Sequence, residues 1–179
     1  MWRIVTRFFP PDRSSALDEV PFKEQFAPML IRECSSPDAT QALGVRFGEL
    51  AQAGTVLCLN GPLGAGKTCF AQGVGRGLGV RELVTSPTFI LLATYTSGRL
   101  PLFHGDFYRL GDESELVELG LDEVLGREGI ALIEWADRFT DGFEDYIRIE
   151  IEDLGPGQRR FTAVAHGPRS AALLVAFDE

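Results

Sequence analysis

The sequence predicts a three-layer α/β fold, in which helices cover both faces of a largely parallel central sheet and antiparallel hairpins are added to it. Three observations support this prediction. The apolar run at 55–59 is followed by a glycine-rich loop and a helical pattern, which is a strand–loop–helix unit. The continuous apolar run at 130–133 is typical of a buried strand in a parallel sheet. Two further pairs of short runs are each joined by a glycine-containing turn, which predicts hairpins.

The first 28 residues of the 179 differ in pattern from the rest. Their apolar residues alternate with arginines until Pro10-Pro11 interrupts the pattern, and this apolar stretch is too broken for a secretory signal. We therefore expect 1–28 to be a poorly ordered extension and 29–179 to form a single domain. The alternative is that Met29 is the natural first residue.

The first two elements of the expected domain follow from residue preferences. The short apolar stretch 29–34 predicts a strand. Ser36 and Pro37 predict the start of a helix, because serine is a favoured N-cap and proline is favoured at the first helical position. Gly54 predicts the end of that helix.

The elements that follow the glycine-rich loop are a helix over 70–78 and a pair of strands. The strand-like runs 89–96 and 100–107 are joined by Ser-Gly-Arg, so we expect a hairpin. Further along the chain, the patterns at 113–119 and 121–125 predict two short helices.

A second hairpin is expected near the end of the chain. Apolar and polar residues alternate over 147–152 and again over 161–165, on either side of a Gly-Pro-Gly turn at 155–157. This period of two predicts antiparallel strands with one buried face and one exposed face.

Composition limits the classes of function. The net charge is −9, from 17 basic and 26 acidic residues, and this charge disfavours direct binding of nucleic acid because phosphate backbones require a basic surface. No apolar run approaches the roughly 18 residues that a membrane span requires. The three cysteines include no C-x-x-C pair, which favours the reduced thiols of a cytoplasmic protein over a disulfide framework or a zinc site.

The segment 61–68, Gly-Pro-Leu-Gly-Ala-Gly-Lys-Thr, satisfies the phosphate-binding pattern G-x-x-x-x-G-K-[ST] and thereby predicts a P-loop NTPase-like fold. Its glycines let backbone N–H groups converge on phosphate oxygens, and the helix N-terminus adds partial positive charge. We expect Lys67 to reach the β- and γ-phosphates and Thr68 to ligate Mg²⁺. The following Cys69 is either a reactive thiol, with a pKa lowered by the helix dipole, or a small residue tolerated there.

Acidic residues at the ends of apolar strands are the candidate partners of a metal ion. Glu134 ends the run 130–133, where it is expected to hold Mg²⁺ through its water shell or to orient an attacking water. Asp106 shares a strand face with His104 by period two and is expected to accept a proton from water or to bind metal through water. The alternative for both acids is a purely structural role.

The base of the nucleotide is expected to be adenine. GTPases of the Ras kind read guanine with an Asn-Lys-x-Asp loop, but the only asparagine of this chain is Asn60, directly before the phosphate loop. The sequence therefore favours ATP.

Five motifs in this order resemble the TsaE family, also called YjeE, a family of bacterial ATPases required to make threonylcarbamoyladenosine in tRNA. The resemblance covers about 29–170. The motifs are 59–68 (LNGPLGAGKT), 86–89 (SPTF), 104–110 (HGDFYRL), 118–121 (ELGL) and 132–135 (LIEW).

The resemblance implies a role for each matching position. Lys67 and the loop amides would bind the ATP phosphates, and Asp106 would support hydrolysis or nucleotide binding. Trp135 would support the site, and 85–88 resembles a switch loop that responds to the γ-phosphate. The implied cofactor-binding residues are Gly61, Gly64, Ala65, Gly66, Lys67, Thr68, Cys69 and Asp106, the implied catalytic residues are Asp106, Glu134 and Trp135, and the implied metal ligands are Thr68 and Glu134.

The resemblance also implies two protein partners, TsaB and TsaD, with tRNA reached only through their complex. Three positions depart from the family pattern, which usually has Asp at Pro62, Thr at Cys69 and a bulkier residue at Gly105. Two other functions remain open from the sequence. One is a small-molecule or nucleoside kinase of the P-loop class, and the other is a nucleotide-gated interaction module with negligible turnover.

Overall fold

A computed structural model describes residues 27–111 and 128–177 of the chain. Within these residues, no helix has the length and apolar character needed to cross a membrane. The helices and strands are β1 (Met29–Cys34), α1 (Pro37–Leu50), β2 (Val56–Asn60), α2 (Lys67–Gly77), β3 (Leu92–Tyr95), β4 (Leu102–Asp106), β5 (Ile130–Glu134), β6 (Tyr146–Gly155), β7 (Gln158–His166) and α3 (Pro168–Val175). Two 3₁₀ turns, Ala136–Arg138 and Thr140–Gly142, follow β5.

The seven strands form one sheet in the order β1-β7-β6-β2-β5-β4-β3. Its central pairs, β6 with β2, β2 with β5 and β5 with β4, are parallel. The outer pairs, β1 with β7, β7 with β6 and β4 with β3, are antiparallel. The sheet is therefore partly parallel: its centre is parallel, and the chain returns through an antiparallel hairpin on each side of that centre.

Both predicted hairpins are confirmed, as β3–β4 and β6–β7. The predicted start of α1 is confirmed as well, since the Ser36 hydroxyl accepts a hydrogen bond from the Ala39 amide at 3.1 Å. β3 is shorter than the predicted run 89–96. The reason is a turn at 87–91, in which Leu91 takes a positive φ of 62° and its amide donates to the Pro87 carbonyl at 2.7 Å.

The three α-helices pack on one face of the sheet. Their apolar core includes the aromatic rings of Phe47, Phe70 and Phe177, with Phe47 lying 5.3 Å from Phe70 and 4.5 Å from Phe177 between ring centroids. A second core on the other face contains Cys58 and Ile133 with 3₁₀-turn and loop residues, and no α-helix of residues 27–111 and 128–177 contributes to it. The helices predicted at 113–119 and 121–125 lie outside the described residues, so the three-layer arrangement stays a prediction.

Helices α1 and α2 approach each other most closely through glycines. Gly44 and Gly48 of α1 face Gly73 and Gly77 of α2. A Cβ added at Gly73 would lie 2.2 Å from the Gln41 carbonyl oxygen, and each of the other three would come within 2.3 Å of a carbonyl oxygen of the facing helix. The two backbones are therefore in direct contact, with no room for a methyl group between them.

The parallel centre of the sheet brings the candidate acids together. Asp106 pairs with Glu134 between β4 and β5, and Glu134 pairs with Leu59 between β5 and β2. Because parallel strands end at the same edge of a sheet, both carboxylates lie beside the loop that follows β2. Ligands of open α/β sheets bind at this edge.

Candidate functional site

The loop between β2 and α2 has a backbone that requires glycine at two positions. Gly66, the N-cap of α2, is left-handed with φ 105°. Gly61 has φ 143°, and a Cβ there would lie 2.7 Å from the Ile151 carbonyl oxygen. L-residues with side chains rarely adopt such angles, so the glycines of the motif set the shape of this loop.

Lys67 is the first residue of α2, and its side chain is buried against the loop. Its ammonium donates to the carbonyl oxygens of Gly61 at 2.7 Å and Pro62 at 3.0 Å, and it lies 3.8 Å from the ring centroid of Trp135. Burial lowers the pKa of Lys67, and the nearby carboxylates of Glu134, Asp106 and Asp137 oppose that shift. The arrangement holds a compact positive charge inside the loop.

Glu134 is buried and accepts two hydrogen bonds at one carboxylate oxygen. The Thr68 hydroxyl donates to Oε1 at 3.0 Å, and Nε2 of His104 lies 3.0 Å from the same atom. An ionised carboxylate only accepts hydrogen bonds, so this contact places a proton on Nε2. His104 therefore holds the Glu134 carboxylate through a buried hydrogen bond. The alternation of residues in the sequence had predicted only that His104 shares a strand face with Asp106.

Asp106 is buried and is bonded to the predicted switch loop. The Thr88 hydroxyl donates to Oδ2 at 2.5 Å, and the Ser86 hydroxyl donates to the same oxygen at 3.3 Å. The Tyr108 amide donates to Oδ1 at 3.0 Å. The structure thus joins segment 85–88 to the candidate acid, although the two are about twenty positions apart in the sequence.

Trp135 follows Glu134 in a left-handed conformation with φ 61°. Its amide donates to the Leu59 carbonyl at 2.9 Å, and its ring lies 5.0 Å from the ring of Tyr108. Left-handed backbone at a residue with a large side chain is uncommon and is retained where the surroundings enforce it. At Trp135 this backbone conformation places the indole ring over the Lys67 ammonium instead of in the core.

These groups surround one cleft with a volume of about 500 Å³. Every candidate residue from the sequence lines it except Gly61. The lining residues are Leu63, Gly64, Ala65, Gly66, Lys67, Thr68, Cys69, Ser86, Thr88, Asp106, Tyr108, Glu134 and Trp135. A cleft with one buried cation, several hydroxyls and two carboxylates has the groups that recognise a phosphorylated ligand with its metal ion.

Of the two roles left open for Cys69, the structure favours the tolerated small residue over the reactive thiol. Burial raises the pKa of this thiol, and the opposing effect of the Arg76 guanidinium is smaller. The thiol donates to the Pro37 carbonyl oxygen at 3.5 Å, so it packs against the start of α1. Cys69 therefore lines the cleft without the properties of a reactive cysteine.

Comparison with known proteins identifies the family to which this chain belongs. Residues 34–161 match the family model described as "Threonylcarbamoyl adenosine biosynthesis protein TsaE". The chain belongs to the TsaE family. The resemblance seen in the sequence motifs is thereby confirmed.

Relatives in the TsaE family match over most of their length. The tRNA threonylcarbamoyladenosine biosynthesis protein TsaE of Bacillus subtilis is 42% identical over 139 residues, which cover 77% of this chain and 87% of the relative. The protein of the same name from Treponema pallidum is 41% identical over 128 residues, covering 71% and 94%. The crystal structure of Bacillus subtilis YdiB superimposes with a TM-score of 0.74 at 34% identity, covering 86% of this chain and 99% of YdiB.

Proposed function

We propose that this TsaE-family chain binds and hydrolyses ATP with Mg²⁺, as an accessory protein of threonylcarbamoyladenosine formation in tRNA that acts with TsaB-like and TsaD-like proteins. The observation that carries this proposal is the convergence of Lys67, the Thr68–Glu134 pair and Asp106 on one cleft at the start of α2. Family membership supports the place of this activity in tRNA modification.

The residues of the cleft fit both implied ligands. The glycine loop, the helix N-terminus and the Lys67 ammonium fit phosphate groups. The Thr68 hydroxyl and the Glu134 carboxylate are oxygen donors of the kind that Mg²⁺ prefers, either directly or through its waters. Mg²⁺ bound there would neutralise charge that develops on the phosphates.

Each side chain has a definite task in the proposed activity. Thr68 and His104 hold Glu134 in one orientation, so its carboxylate is in place before the ligand arrives. Asp106 is a proton acceptor whose oxygens are bonded to 86–88 and to Tyr108. A change in the hydrogen bonding of Asp106 would therefore alter the position of the switch loop.

The surface around the cleft supports a protein partner. Leu63, Phe89 and Tyr108 are 93%, 84% and 62% exposed, and each belongs to a segment that also contributes to the cleft wall. Large apolar side chains exposed together are typical of a protein-binding surface. With a net charge of −9, the chain is unsuited to holding tRNA by itself, which favours recruitment through the TsaB-like and TsaD-like partners.

Replacing Glu134 by glutamine is expected to lower Mg²⁺-dependent ATP turnover by about 10- to 100-fold while the chain stays folded. The amide oxygen still accepts from Thr68 and His104, so the substitution removes the charge and little else. ATPase rates across a magnesium titration give the result, and circular dichroism reports folding. Glu150→Gln is the matched control, because Glu150 accepts a bond from Asn60 and does not line the cleft. Equal rates and equal magnesium dependence in the two variants would make Glu134 a structural acid.

The partner assignment predicts nucleotide-dependent assembly. We expect the chain to bind a TsaB-like and a TsaD-like protein to different extents with ATP, with ADP and without nucleotide, as measured by size-exclusion chromatography. Filter retention at about 0.1 M salt should show tRNA binding by the assembly but not by this chain alone. Tight tRNA binding by the chain alone would contradict the proposal, and so would complex formation to the same extent with and without ATP. Transfer of phosphate to a small molecule instead of to water would support the kinase alternative.

A further inference from the structure

Arg159 of β7 donates hydrogen bonds to the phosphate loop from outside the cleft. Nε of Arg159 donates to the Ala65 carbonyl oxygen at 3.1 Å, and Nη2 donates to the Gly64 carbonyl oxygen at 3.4 Å. Arg159 is not among the residues that line the cleft. Its guanidinium therefore contacts the two peptide units in the middle of the loop on the side that does not face the ligand.

The same guanidinium is fixed to the end of the β6–β7 hairpin. Nη1 donates to the carbonyl oxygens of Gln158 at 2.8 Å and Gly155 at 3.1 Å, and to Asp153 Oδ1 at 2.8 Å. Arginine has five N–H donors in a rigid planar group, so it can hold the loop and the hairpin at once, whereas a lysine ammonium cannot reproduce this fork. The position of the loop carbonyls is thereby set by the sheet.

The orientation of these carbonyls determines where the loop amides point. In a trans peptide, the C=O and the following N–H point in opposite directions, and residues 27–111 and 128–177 contain no cis peptide. Holding the Ala65 carbonyl against Arg159 turns the Gly66 amide to the opposite side, and Gly66 lines the cleft. If this peptide unit rotated, a carbonyl dipole would replace an N–H donor beside the anion.

We propose that Arg159 is a positioning residue for phosphate binding: it fixes the Ala65 carbonyl to the β6–β7 hairpin, so that the Gly66 amide faces the anion. This role rests on the proposed ATP site. Arg159 contacts no ligand in this arrangement and acts through the backbone of the loop. Its loss is expected to affect affinity for the phosphate groups more than the stability of the fold.

The test compares Arg159→Ala and Arg159→Lys with the control Arg160→Ala. Arg160 is the next residue of β7 and pairs with Glu33 at 2.8 Å and Glu152 at 3.2 Å, away from the loop, so the control removes the same charge from the same strand. Three quantities are measured for each protein: the affinity for labelled ATP, the hydrogen exchange of amides 61–68 without nucleotide, and the midpoint of thermal unfolding.

Arg159→Ala is expected to weaken ATP binding about tenfold relative to Arg160→Ala and to speed exchange in the loop, since hydrogen bonds to a charged group are lost. The ATP affinity and loop exchange of Arg159→Lys, which keeps the charge, should lie between those of Arg159→Ala and Arg160→Ala. If Arg159→Ala does not fold, Arg159→Lys takes its place in the comparison with Arg160→Ala. Equal affinity and equal exchange in the Arg159 and Arg160 variants would overturn the proposal, because Arg159 would then only stabilise the hairpin. If the unmodified chain bound no ATP, the proposed function would fail, and loop exchange would still decide the role of Arg159.

Discussion

Replacing Lys67 by alanine is expected to reduce ATP affinity by about 100-fold or more, because the ammonium is the only cation among the described residues that line the cleft. A hydrogen bond to a charged group contributes about 1.5 to 3 kcal/mol, and the third N–H of this ammonium remains for a phosphate oxygen while Gly61 and Pro62 accept the other two. The fold should tolerate the change, since burial already opposes the charged form of Lys67 and lowers its pKa.

Titration of labelled ATP against both proteins measures this effect, with thermal unfolding as the folding control. Lys67→Arg should also bind weakly, because a planar guanidinium does not fit the space of a compact ammonium held by Gly61 and Pro62. Arg76→Ala removes a positive charge from the other end of α2, outside the cleft, and should leave ATP affinity unchanged. Equal affinity in the Lys67→Ala and Arg76→Ala proteins would mean that the cleft does not bind phosphate through this lysine.

Replacing Gly73 by alanine is expected to lower the free energy of unfolding by about 3 kcal/mol, at the upper end of the usual cost of overpacking. In a solvent-exposed helix, the same substitution would stabilise by up to about 1 kcal/mol, because alanine favours helix. In α2 the substitution destabilises the fold instead, because the new Cβ would lie 2.2 Å from the Gln41 carbonyl oxygen and 2.9 Å from the Gly44 Cα. Backbone atoms cannot move aside as a flexible side chain can.

The midpoint of thermal unfolding should fall by roughly 6 to 12 °C for a loss of this size in a chain of this length. Gly142→Ala is the control, because a Cβ at Gly142 meets nothing within 4 Å. An unchanged midpoint for Gly73→Ala would show that α1 and α2 are further apart than in this structure. ATP affinity of the surviving folded protein would show whether the contact also affects the phosphate loop.

The elements that the sequence predicted well are those whose signal is local. The phosphate loop, the Ser36 cap and both hairpin turns each depend on residues close together in the chain. The order of the strands was not predictable in this way, because β1 lies beside β7 through pairs such as Met29 with Val164. That pairing depends on which edge of the sheet buries more apolar surface, and no single segment carries this information.

The same distinction applies to the site. The motif identified Lys67 and Thr68, and the strand end identified Glu134, so the cleft was largely located from the sequence. The contact of His104 with Glu134 spans 30 positions and that of Arg159 with Ala65 spans 94, and neither residue type is distinctive at its position. For Cys69 the sequence left a reactive thiol and a tolerated small residue both open, and burial, which raises the pKa of the thiol, favours the second.

In the proposed function, the glycine contact between α1 and α2 limits how the cleft can signal its occupancy. Helices that meet through side chains can slide past each other by changing rotamers, whereas helices in backbone contact have no such freedom. The contacts at Gly73 and Gly77 therefore disfavour a shift of α2 as the response to the nucleotide of the proposed function. In the proposed function, the response would pass instead through Ser86 and Thr88, whose hydroxyls donate to Asp106 in the cleft wall. A helix held in place beside one movable loop would give a partner of the proposed complex one surface on which hydrolysis of ATP could be detected.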